Sequence, residues 1–231
     1  MNCFTQIPAE VFRLDGLRHL HLLGNRIVKI PDGIERLTQL ESLDLGANPV
    51  RYISDGLCEL KRLHSLSIYG GCLESVPLRI GRLPHLRRLI LGNELTAIPP
   101  GIGMCRQLLR LTLSYNRLRS LPPYLGKLEN LVDLRVDNNL LAYWPPTFRY
   151  LKALRWLHAE GNPLRQPPWF ALELPDLQGI SCCDFLLPPS EVAVFTQACT
   201  ERGILLLWNR SLCQSECYEP DLGSDDSQDT N

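Results

Sequence analysis

No apolar run in this chain approaches the ~18 residues that a membrane-spanning helix needs, and the longest late stretch, Ile204–Trp208, is the size of a strand. The opening residues MNCFTQIPAEVFRLDG lack a basic start followed by an unbroken apolar core. They do not read as a secretory signal, so the expected compartment is the cytoplasm. Phosphate-cradling glycine loops and dinucleotide fingerprints are missing, which removes the commonest nucleotide-dependent activities. A charge excess is missing too, with 24 Lys and Arg against 25 Asp and Glu. Six of those acids (Glu216, Glu219, Asp221, Asp225, Asp226 and Asp229) lie in residues 216–231, where there is no Lys or Arg. The remaining body is therefore about five charges positive, too few and too dispersed to argue for a nucleic-acid partner. Cysteine is present nine times, an odd number without framework spacing, which suits reduced thiols better than a disulfide scaffold.

What is present is a repeat. Hydrophobic residues make up 45% of the chain, enough for a folded body. They recur as Leu-x-x-Leu-x-Leu-x-x-Asn-x-Leu-x-x-Ile-Pro-x-x-Ile-x-x-Leu from Leu17, Leu40, Leu63, Leu86, Leu108, Leu131, Leu154 and Leu177. The spacing is 23 residues except for one step of 22, and a period this constant decides the architecture before local propensity is consulted. The first half of each unit ends in period-two alternation, as in Leu43-Asp44-Leu45, and predicts a short strand. Stacked copies pair in parallel, and the second half supplies the crossover that parallel pairing requires. Ile30, Ile34 and Leu37, or Leu121, Leu125 and Leu128, close a core against the strand leucines. Pro31, Pro77, Pro99, Pro122 and Pro145 fix the turn into the outer face. With sheet on one side and compact turns or short helices on the other, the stack is expected to curve with its strands inside.

The ninth position carries Asn25, Asn48, Asn116, Asn139 and Asn162, with Asn93 one residue early in the 22-residue repeat, and these amides can bond backbone left unpaired where the chain turns. Gly71 interrupts this series, so the ladder is expected to be weakest between Ile68 and Leu95. With these motifs the sequence resembles the leucine-rich-repeat family, and within it the 23-residue intracellular class with Ile-Pro at the outer turn, as in Ras suppressor proteins, erbin and scribble. The resemblance covers about residues 2–185. It implies an α/β fold, a right-handed solenoid with a concave parallel sheet, and a non-enzymatic role in protein binding and scaffolding, often in signalling or cell polarity. It does not name a partner.

The expected organisation is a partial repeat over residues 1–16, seven full repeats and a partial eighth over 17–185, a cap over 186–213 and a disordered acidic tail over 214–231. Asn2, Phe4, Ile7, Pro8, Val11 and Leu14 fit the later positions of a preceding repeat, which leaves the first strand edge open. The chain is expected to be monomeric unless that end self-associates. In the cap, Ser190 reads as the N-cap of a helix ending at Gly203, followed by a buried strand at Ile204–Trp208.

Chemistry is expected to be absent. Cys213 and Cys217 with Cys182, Cys183 or Cys199 offer sulfurs to zinc, but without the usual paired spacing, so no metal or cofactor is expected. Asn209-Arg210-Ser211 matches a glycosylation acceptor by chance. His19, His21 and Asp44 share one face and read as solvated polar residues rather than a proton-transfer site.

The exposed strand positions instead form lanes. The third position reads His19, Ser42, Ser65, Arg88, Arg110, Asp133, Trp156, Gly179, and the fifth reads His21, Asp44, Ser67, Ile90, Thr112, Arg135, His158, Ser181. Large side chains gather in repeats four to seven, and Arg and Trp are the types that most often carry interface energy. The expected contact set on the concave face is Arg88, Arg110, Tyr115, Asp133, Arg135, Asp137, Trp156, His158 and Glu160, with the arginines meeting acids and Asp137 and Glu160 meeting bases. Trp169 and Phe170 on the outer turn are a weaker second candidate. An alternative role is a substrate-recognition adaptor of a ubiquitin-ligase or other enzyme complex, docked through the cysteine-bearing C-terminal segment.

Overall fold

The computed structural model describes residues 3–92, 94–183 and 186–208. Its centre is one parallel sheet of nine short strands stacked in sequence order. The strands are β1 (His19–His21), β2 (Ser42–Asp44), β3 (Ser65–Ile68), β4 (Arg88–Leu91), β5 (Arg110–Thr112), β6 (Asp133–Arg135), β7 (Trp156–His158), β8 (Gly179–Cys182) and β9 (Leu205–Trp208). Register follows the repeat throughout: Leu20, Leu43, Leu66, Leu89, Leu111, Leu134, Leu157 and Ile180 stand side by side. All of them are buried.

Each crossover from β1 to β8 contains a five-residue 3-10 helix, not an α-helix, and the prolines stand immediately before these helices. Pro31 precedes Asp32–Arg36, Pro77 precedes Leu78–Arg82, Pro99 precedes Pro100–Met104, Pro122 precedes Pro123–Lys127 and Pro145 precedes Pro146–Tyr150. A 23-residue unit leaves little chain for the return, and the shorter helix fits that space with i to i+3 bonds. Ile30, Ile34, Leu37, Leu125 and Leu128 are fully buried behind the sheet, as the periodicity predicts. A second, two-stranded parallel sheet pairs Lys29–Ile30 with Tyr52–Ile53 on the outer flank.

The asparagine ladder runs as expected wherever it is described. Asn139 donates from Nδ2 to the carbonyls of Leu113 (2.8 Å), Val136 (3.0 Å) and Asp137 (3.2 Å), and its Oδ1 accepts the Leu118 N–H at 3.0 Å. Asn48, Asn116 and Asn162 repeat this arrangement, while Asn93 lies outside the described residues. At Gly71 the ladder is interrupted without a break in the sheet. β3 and β4 stay in register over four residues there. A side chain at Gly71 would collide with the backbone of Asn48 and Val50, so the two turns approach closely there.

A second periodic feature went unread in the sequence. The eighth position has a left-handed backbone in Gly24, Ala47, Gly70, Tyr115, Asn138 and Gly161. Here the chain leaves the strand and turns, and the ninth-position amide spans that turn.

At the C-terminal end, the α-helix α1 (Pro189–Glu201) buries Phe195 and Cys199 against the last repeats. Its N-cap is Pro188, not Ser190, and no side chain caps it. Pro189 fills the first helical position, where the absent N–H costs nothing. The far end closes on Gly203 at φ 67°, with Gly203 N–H bonded to Thr200 and Ile204 N–H to Cys199, a Schellman turn. β9 then pairs with β8, but it is half exposed and not the buried strand expected. Only Leu206 and Trp208 turn inward, and the Trp208 indole N–H donates to Thr196 Oγ1 at 2.9 Å. The expected acidic tail and the Asn209 acceptor lie outside the described residues.

Candidate protein-binding face

The third- and fifth-position side chains project from the concave sheet, and their differences begin with charge. Arg88 and Arg110 stand directly opposite each other on β4 and β5, both exposed. Like charges facing across neighbouring strands disfavour the sheet. Among the described residues neither guanidinium has a carboxylate partner. Arg135 differs, because its Nε lies 3.4 Å from Asp133 Oδ1 within the same strand. Asp133 also sits 3.9 Å from His158 Nε2, and His158 Nδ1 is 3.1 Å from Ser181 Oγ. The centre of the face is thus a self-satisfied polar network, whereas the N-terminal side of it holds unpaired positive charge.

Trp156 lies at the other side. It is 38% exposed although its ring rests on the neighbouring strand. The floor beneath it is Gly179, where a side chain would overlap the indole ring. Next to it, Leu205 and Leu207 of β9 occupy the third and fifth positions, 51% and 53% exposed, so the lanes end in an apolar shelf of Trp156, Leu205 and Leu207. Sequence reasoning missed the two leucines, since Leu-Leu-Leu-Trp reads as a buried run. Placing Leu206 and Trp208 at the fourth and sixth repeat positions would have exposed the alternation.

Three expected contacts sit differently. Tyr115 is not on the sheet but in the turn after β5, at φ 57° and 68% exposed. The left-handed backbone there belongs to the turn that every described eighth position of positive φ makes, and tyrosine tolerates it less well than glycine or asparagine. Asp137 accepts from the Ser114 hydroxyl and the Asn138 amide. Glu160 has its Oε2 buried without a hydrogen-bond partner among the described residues.

Asp44 accepts the Gly46 N–H at 2.9 Å and His21 faces Ser42 at 3.4 Å, so the His19, His21 and Asp44 group serves the turn and its neighbours. Phe170 is buried, and Trp169 packs edge-on to Phe195 at 5.2 Å. With Trp144 and four neighbours they line a cavity of about 160 Å³ on the outer side. No group of three or more metal-binding side chains occurs among the described residues.

The cysteines divide. Cys58, Cys105 and Cys199 are buried free thiols, and desolvation pushes them up to about 11, 12 and 11. Cys182 is buried, as its core position predicts. Cys183 departs from the reduced state expected, being disulfide-bonded, and its Sγ accepts the Gly161 N–H at 3.1 Å.

Comparison with known proteins agrees with this geometry. A leucine-rich-repeat family model matches residues 106–164. A solved LRR protein of Leptospira interrogans superposes with a TM-score of 0.81 at 30% identity over 87% of this chain. The fold is a leucine-rich-repeat solenoid. The chain spans 51% of the Leptospira protein, about half its length. A plant peptide hormone receptor, solved in complex with RGF2, also resembles the solenoid, with a TM-score of 0.67 and 27% identity over 77% of this chain and 30% of the receptor. Among curated protein sequences nothing matches. Leucine-rich-repeat folds commonly serve as protein-interaction modules, and no helix among the described residues is long and apolar enough to cross a membrane.

Proposed function

We propose that this solenoid is a non-enzymatic interaction module that takes a partner protein on the concave sheet of repeats four to seven, as a scaffold in cytoplasmic signalling or cell organisation of the Ras suppressor and erbin kind. The observation that carries the reading is Trp156: a large aromatic on a strand, exposed, laid over a glycine floor and flanked by exposed leucines. Such a side chain contributes to an interface by burying area with few rotatable bonds. The unpaired Arg88 and Arg110 add electrostatic steering, and the plant receptor's complex is a precedent for binding by this fold.

The test is capture of a partner by the full chain carrying Trp156→Ala, or Arg110→Glu with Arg135→Glu. The Trp change should weaken binding by about 1–2 kcal/mol. Charge reversal should slow association and lose its effect as salt rises, because charges are screened over about 8 Å at physiological ionic strength. Lys127→Glu, on the outer 3-10 helix beside Tyr124, should leave binding intact. Loss of capture by the Lys127 variant alone would move the interface to the convex side. The cytoplasmic placement is supported by the buried free thiols Cys58, Cys105 and Cys199, and the disulfide at Cys183 opposes it. Counting reactive thiols in protein made under reducing conditions decides between them.

A further inference from the structure

We infer that the partner is engaged through a linear acidic segment carrying a large apolar residue four to six positions from its acids, laid across the strands from β4 to β9. This rests on the concave-face reading and adds the chemistry of the occupant. Two observations carry it. Arg88 and Arg110 face each other in register with no carboxylate partner among the described residues, a repulsion that bound acid removes. At the opposite end, Trp156, Leu205 and Leu207 expose an apolar shelf over Gly179.

The span between them sets the spacing. Strands in a sheet lie about 4.8 Å apart, so the distance from β5 to the shelf on β8 and β9 is about 14–19 Å. An extended segment rises about 3.3 Å per residue and covers this in four to six residues. Between the two ends Asp133 is already held by Arg135 and His158, so the middle of the segment needs no charge. A nucleic acid fits poorly, because its evenly spaced phosphates would pass over Asp133, and the arginine pair has no aromatic neighbour on its own strands for base stacking.

The experiment is selection of phage-displayed random 16-residue peptides on the full chain, followed by anisotropy measurements on the enriched peptide. The expected consensus holds two or more Asp or Glu and a large apolar residue four to six positions away. Arg88→Glu with Arg110→Glu should weaken the peptide about tenfold at low salt, and Leu205→Ser with Leu207→Ser by a similar factor. Both variants should keep the wild-type circular dichroism, since these side chains are exposed. No enrichment, or a consensus lacking the acids or the spacing, overturns the inference. If such binders still depend on Trp156, the concave-face reading survives. If they ignore Trp156 and both arginines, that reading falls as well. Competition by an oligothymidine, or by a synthetic peptide of residues 209–231 with the same arginine dependence, would also overturn it, the latter by making the chain's own tail the occupant.

Discussion

Replacing Asn139 by Ala isolates the energetic role of the amide ladder. Most of its partners are doubly served: the Leu113 carbonyl also accepts from Asn116, and the Val136 carbonyl also accepts from Asn162. The Leu118 N–H has Asn139 Oδ1 as its acceptor and becomes an orphan inside the turn. An unpaired buried N–H costs about 1–3 kcal/mol, and the lost carbonyl bonds add about 1 kcal/mol, so the expected loss is about 2–4 kcal/mol. Asn25→Ala is the internal control. Its Oδ1 accepts from Phe4, an exposed residue at the first turn, where water replaces the lost partner, so the cost should stay below about 1 kcal/mol. Urea denaturation followed by circular dichroism measures both. Asn139→Ala within about 0.5 kcal/mol of wild type, or no cheaper a change at Asn25, would refute the ladder as a source of stability.

Leu134→Ala, at a fully buried position between Leu111 and Leu157, should cost about 2–5 kcal/mol in the same assay, while Trp156→Ala should cost little. Tyr115→Asn should raise stability by about 0.5–1 kcal/mol, because asparagine tolerates the left-handed backbone that tyrosine resists, and a fall in melting temperature would show that the ring is a structural contact. The raised thiol values predict a pH effect of definite sign. Stability from the neutral thiols of Cys58, Cys105 and Cys199 is fully present below the ordinary value of 9.0 and falls as pH climbs toward 11–12. Cys105→Ala should flatten that fall, and an unchanged slope would remove Cys105 as a cause. At pH 8 a thiol reagent should label exposed Cys3 readily and leave Cys105 untouched until the protein is unfolded.

Much of this molecule was legible in the chain because a repeat converts sequence position into spatial position. Once Leu43 and Leu66 share a place in the period, each must stand beside the other in the sheet, and the same logic placed Arg88 against Arg110 and Asn139 beneath Leu113. Periodicity set the core, the strand order and the membership of each lane. It did not set what each exposed side chain does with its freedom. Arg135 folded onto Asp133, Asp137 onto Ser114 and Trp156 over Gly179, while Arg88 and Arg110 found no acid. Those choices depend on distances between strands that only stacking creates. The non-repeating end was the least legible, because outside the period a run such as Leu205–Trp208 has no neighbour to fix its register. Pairing with β8 turned Leu206 and Trp208 inward and left Leu205 and Leu207 on the surface, where alternation across a strand requires them to be.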